Sequence, residues 1–274
     1  MPNIKKLQKS FYLNQLSNSL KEQNSQTSPT LWQIPIDFVS PPSTNSLIHP
    51  LILKKESHFL QLDSSQNLPL KLNKNGTGFY LTSYSLEFLA QISLAIQNNI
   101  LSELDTLNLL SDFISLNKAG QFEPGASAIL DLIYSAKNSR NSHFWGLSGG
   151  FLANINHHLR QSKQQKLLEP YGRSLLIAPK DNLGLSFESS EIEADNTTSA
   201  RFEVLSIGVM VQDPQTHAIL LKTYDQNLDD FTRIHPEERI LALYCAAKRG
   251  NKTDYELMQS LYRSNSEDIS LRED

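Results

Sequence analysis

The chain has 274 residues, 25 Lys and Arg against 29 Asp and Glu, and a formal net charge of -4. That length supports one large domain or two smaller ones, and a 39% hydrophobic share with plentiful Phe and Tyr excludes wholesale disorder. Mild acidity argues against a nucleic-acid binder that works by neutralising phosphates, while a single cysteine, Cys245, excludes an internal disulfide and any Cys-based zinc site. No apolar run reaches membrane-spanning length, and Met1–Gln23 lacks the apolar stretch of a signal peptide. The expectation is a non-secreted, cytoplasmic chain with neither a membrane nor a nucleic acid as partner.

Up to Tyr80 the sequence reads as short strands separated by turns. Trp32, Ile34, Ile36 and Phe38 occupy alternate positions, the pattern of a half-buried strand, and Pro35 demotes it towards an edge or a bulge. Pro41 to Asn45 breaks the chain, and His58–Asp63 predicts another strand. Leu70–Asn73 then leads into an Asn75-Gly76-Thr77-Gly78 turn, after which Phe79–Leu81 is expected to resume extended structure. Strands of this length with no helix between them predict a small antiparallel β-sandwich.

Beyond Ser83 the apolar period becomes helical. Leu86, Leu89, Ile92 and Ile96 recur at steps of three and four. Ser102 followed by Asp105 reads as a capping box, and Gly120 as a left-handed stop for the helix that follows. Further helices are predicted over residues 126–137, 151–165, 200–211, 215–226 and 236–248. The fold class expected is α+β in two domains. Residues 1–82 form the small antiparallel β-sandwich. Residues 83–274 form an all-α helical-repeat (HEAT/ARM-like) superhelical domain, a solenoid or an irregular stack, since no strict period repeats.

Chemistry-bearing motifs are missing. His235-Pro236-Glu237-Glu238-Arg239 has no second histidine at metal-binding spacing. Its residues suit a helix start instead, with Pro236 in the first turn and two carboxylates at the positive end of the dipole. His157 and His158 are adjacent and point about 100° apart on a helix, so they cannot chelate together. Cys245 lies in an apolar helical pattern and is expected in the core. Nothing in the sequence supplies a nucleophile, a metal site or a paired acid and base.

Several segments, taken in order, resemble one family. Gln8-Lys9-Ser10-Phe11, Leu31-Trp32-Gln33-Ile34-Pro35 and Asn73 through Tyr80 are similar to motifs of the C-terminal half of aminopeptidase N-like zinc aminopeptidases. That group includes the puromycin-sensitive and endoplasmic-reticulum enzymes. Leu101-Ser102 to Asp105, Asp112 and Ala119-Gly120 resemble the next motif, Ile234 to Arg239 the one after, and Tyr262 with Glu267 the last. Leu81 and Thr106 stand where the family carries arginines, and the family's helices continue past the point matching Asp274.

The resemblance implies a non-catalytic C-terminal portion that caps a catalytic domain and encloses the substrate chamber. No catalytic residue, metal ligand or cofactor is expected in this chain. Zinc belongs to the catalytic half, which is the implied partner together with a peptide substrate. It also implies that Lys137 and Arg201 grip a peptide's terminal carboxylate through charge-assisted hydrogen bonds, although Ala136 replaces the tyrosine that accompanies the lysine in relatives. Trp145 matches a family tryptophan and is expected in the core. The alternative is a free-standing helical-repeat scaffold that binds a protein partner.

Overall fold

In a computed structural model the described residues are 10–14, 33–39, 51–54, 57–61, 71–187 and 195–264. Trp32, the Pro41–Asn45 break, Asp63, Leu70, Gln8, Lys9 and Glu267 lie outside them. Six short strands are described: β1 (Ser10–Asn14), β2 (Ile34–Ile36), β3 (Phe38–Val39), β4 (Leu51–Leu53), β5 (Ser57–Gln61) and β6 (Lys71–Leu72). They pair antiparallel as three two-stranded ladders, β1 with β5, β2 with β4 and β3 with β6. Pro35 sits opposite Ile52 and faces solvent, while Ile36 and Leu53 are buried with Leu72. These ladders do not by themselves make the expected sandwich.

Phe79–Leu81 does not form the expected strand. Asn73 takes the role of a ladder partner: its side-chain amide donates to the carbonyls of Gly78 and Tyr80, and its Oδ1 accepts from Gly78 N at 2.7 Å. Asn73, Asn75 and Gly76 all have positive φ, so the chain reverses tightly through a single 3-10 turn at Lys74–Gly76.

Every α-helix among the described residues begins at or after Leu86. In the compact unit spanning residues 1–135, α1 (Leu86–Gln97), α2 (Glu103–Lys118) and α3 (Gly125–Ser135) follow the strands. Ser102 caps α2 by accepting from Asp105 N at 3.1 Å, and its hydroxyl donates back to Asp105 Oδ2 at 2.8 Å. The return bond of the box thus lands on the hydroxyl. Gly120, at φ 67°, closes α2 in a Schellman motif, with Gln121 N bonded to Leu116 O and Gly120 N to Asn117 O. Leu109, Leu110, Phe113, Ile129 and Ile133 form a fully buried core, with Phe113 stacked on Phe122 at 4.7 Å.

The second compact unit, residues 136–274, holds α4 (Ser142–His158), α5 (Gln165–Leu175), α6 (Ile177–Leu183), α7 (Asp195–Met210), α8 (Pro214–Gln226), α9 (Pro236–Arg249) and α10 (Lys252–Ser264). The sequence did not disclose α5, α6 or α10, and it started α4 nine residues late. Gly146 and Gly149 allow close packing in the part of α4 that precedes residue 151. A Cβ at Gly146 would lie 3.3 Å from the Glu203 side chain, and one at Gly149 would lie 3.4 Å from the Ile207 side chain, so side chains of α7 seat directly against the glycine backbone of α4. Within this unit α7 also packs on α6, α8 and α9, burying Val204, Leu205, Ile207 and Val209.

Candidate functional site

Arg201 projects from α7 into the interior and is only 5% exposed. Its Nε donates to the Leu183 carbonyl at 2.8 Å, at the end of α6, and its guanidinium lies 5.4 Å from the Phe187 ring centroid. His235 stacks on the same ring, with centroids 5.1 Å apart and planes 19° from parallel. Lys137 follows α3 in the turn leading to α4, is half-buried and has a partner within the fold. Trp145 is fully buried and donates from Nε1 to the Ser139 carbonyl at 2.9 Å, a core role.

The His235–Arg239 run starts α9. His235 is extended, Pro236 takes the first helical position, and buried Glu238 accepts from Thr223 Oγ1 at 2.8 Å. His157 and His158 are exposed, with ring planes 83° apart. Cys245 is buried, and burial pushes its thiol up to about 11, far from a reactive thiolate at neutral pH. Among the described residues no three His, Cys, Asp or Glu side chains come together as a metal site. None forms a catalytic site.

What the second unit does present is a trough along α7. One cavity of about 470 Å³ runs between α4 and α7, past Gly149, Gly150, Glu203 and Ile207. A second of about 360 Å³ continues between α5, α7 and α9, past Leu168, Val209, Leu241, Tyr244 and Lys248. Asn156, Arg160, Ser206 and Met210 line both, so the two are halves of one depression.

Ile207, Val209 and Leu241 beneath it are buried core side chains, and its lining carries Arg160 and Lys248 against Glu169 and Glu203. Arg160 and Lys248 are exposed and make no ion pair or side-chain hydrogen bond among the described residues. Glu169, on the same rim, is already paired with Arg173 at 3.2 Å. At the far end burial, and then the charge of Glu237, hold the Glu203 carboxyl above the usual carboxylate range. The sequence reading missed this trough. Its one advance signal was Gly146-x-x-Gly149-Gly150, small residues at helical spacing where another helix comes close.

Among its described residues the chain is mostly helical. The ERAP1-like C-terminal domain family matches residues 69–274, and the chain belongs to that family. It is also similar to the puromycin-sensitive aminopeptidase of Caenorhabditis elegans, with 21% identity over 235 residues. That match covers 84% of this chain and 24% of the relative, so the chain spans about a quarter of that protein's length.

Proposed function

We propose that this chain serves as the non-catalytic C-terminal portion of a zinc metallo-aminopeptidase, capping the catalytic domain and enclosing its substrate chamber. Zinc and the catalytic residues belong to the catalytic half, its partner, and the substrate is a peptide cut from its N-terminus. The observation that carries the reading is the family match over residues 69–274 in a chain whose described residues hold no metal-ligating group. Division into a sandwich over 1–82 and a HEAT-like helical domain over 83–274 belongs to the same proposal, as does a cytoplasmic setting. Among the described residues no helix is long and apolar enough to cross a membrane.

Engagement of the peptide C-terminus by Lys137 and Arg201 is the finer part of the proposal. Two cations facing one carboxylate would hold it by charge-assisted hydrogen bonds. Because Arg201 is buried, a variant must be scored for stability and for peptide trimming in parallel. Affinity capture on the tagged chain from its source cells, followed by mass spectrometry, tests the main reading. The expected outcome is a co-purifying chain with an H-E-x-x-H helix; capture of no such chain contradicts it.

A further inference from the structure

We infer that residues 79–83 are an open strand edge that receives an extended segment of the catalytic half, paired backbone to backbone, with apolar side chains laid on Phe79 and Leu81. The inference rests on the reading of this chain as one portion of a zinc aminopeptidase, and it names the surface that joins the two portions. Burial alternates along the strip. Tyr80 packs on the Ile36, Leu53 and Leu72 cluster, and Thr82 and Tyr84 are buried. Phe79 stands wholly in solvent, and Leu81, Ser83 and Ser85 are exposed. A period of two is that of extended chain.

The backbone bonds identify the open side. In extended chain, successive residues turn their N–H and C=O groups to opposite edges. On one edge the Tyr80 carbonyl accepts from the Asn73 amide at 3.2 Å, and Thr82 N donates to Asp112 Oδ2 at 2.9 Å. Side chains complete that edge. On the other, the N–H and C=O groups of Phe79, Leu81 and Ser83 make no hydrogen bond among the described residues. A row of unpaired backbone groups beside exposed apolar side chains is the template for strand addition. Main-chain bonds there supply affinity, and alternate side chains supply specificity.

The edge is also held in place before any partner arrives. The turn that precedes it is fixed from two directions, by Asp37 Oδ1 accepting from Lys74 N at 3.2 Å and by Asp105 Oδ1 accepting from Asn75 N at 2.7 Å. A rigid edge loses little conformational freedom on binding. The occupant follows from what this chain does not span. The edge lies inside the family match over residues 69–274, and the chain covers 24% of the similar aminopeptidase. The remainder of such an enzyme is therefore the source of the added strand.

The test uses the full tagged chain and the complex it captures from its source cells. Hydrogen–deuterium exchange, resolved to single amides, is expected to be at least tenfold slower at Leu81 and Ser83 in the complex than in the free chain. L81P removes a donor that no internal bond uses, and F79K combined with L81K blunts the edge by charge. Each variant should capture at least tenfold less of the chain bearing the H-E-x-x-H helix, with an unchanged circular-dichroism melt; exchange decides alone if both unfold. Equal exchange in chain and complex, slow exchange already in the free chain, or undiminished capture by a folded variant would overturn the inference and leave the parent reading standing. So would a dimer of the purified chain, seen by light scattering, that L81P dissolves. Capture of no H-E-x-x-H chain by the unaltered protein overturns both readings, so the two failures are distinct.

Discussion

Lys71 and Asp105 form an ion pair 3.0 Å long in which the lysine side chain is wholly removed from solvent. The pair ties the end of β6 to the first turn of α2. Lys71 Nζ also donates to Asn108 Oδ1 at 2.9 Å and to the Asn73 carbonyl, while Asp105 Oδ1 accepts from Asn75 N at 2.7 Å. Burial pulls the Lys71 pKa down, opposed by the Asp105 hydrogen bond and by the charges of Asp105, Asp112 and Asp37. Removing one member leaves the other charged and buried, so D105N should lose roughly 3–5 kcal/mol of stability. K71M with D105N should lose less than the sum of the single variants in a urea-denaturation cycle. Additive losses would show that the two residues are not coupled.

Gly208 on α7 faces Thr216 on α8 with no spare room. A Cβ at Gly208 would stand 2.5 Å from Thr216 Oγ1, and Thr216 is fully buried and bonded to Asp213 Oδ2 at 2.8 Å. The threonine therefore cannot yield. G208A should destabilise the chain by about 1–3 kcal/mol through overpacking, despite alanine's better helix propensity. Thermal melts of the two proteins decide this, and an unchanged or higher midpoint would contradict it.

Asp213 caps α8 through Thr216 N at 2.9 Å and pairs with Lys180 at 2.9 Å. Burial pushes its carboxyl up, but the Lys180 and Thr216 hydrogen bonds outweigh it and hold the pKa below the ordinary value of 3.8. A lowered folded-state pKa means that the stability from this group is complete above the unfolded value. It is lost as pH falls through the lowered folded one. D213N should therefore cost about 1.5–3 kcal/mol near pH 6. The difference from the parent chain should shrink as pH drops below about 4. A pH-independent difference in urea midpoints would exclude this linkage.

Arg201 tests position against binding. Its Nε bond to Leu183 O and its place over Phe187 predict that R201A loses about 1.5–3 kcal/mol, on the scale of a hydrogen bond from a charged donor. R201K should restore little, because a lysine lacks the planar fork. Denaturation midpoints check the prediction; near-native stability in R201A would point to a role outside the fold.

The switch from strands to helices near residue 83 was legible because it lies in the apolar period itself, and so was the Ser102 cap, a local signal. The partners of Asp105 were not, since Lys71 and Asn75 lie some thirty residues upstream and only the folded chain brings them to α2. Phe79–Leu81 was misread because a side chain, Asn73, does the work of a neighbouring strand. The start of α4 was hidden because glycine has two uses. Breaker and close-packing glycine look alike until the facing helix is known. Pro170 inside α5 hid that helix in the same way. Arg160 and Lys248 carry no motif at all; what brings them together is the tertiary meeting of α4, α7 and α9.

The proposed role is that of a non-catalytic portion of a zinc aminopeptidase. Hydrolysis of aminoacyl-anilide substrates, measured on the purified chain and on its captured complex, each with and without a metal chelator, tests it most directly. The expected result is no turnover by the chain alone and chelator-sensitive turnover by the complex. Chelator-sensitive turnover by the purified chain alone, or a captured complex with none, would contradict it.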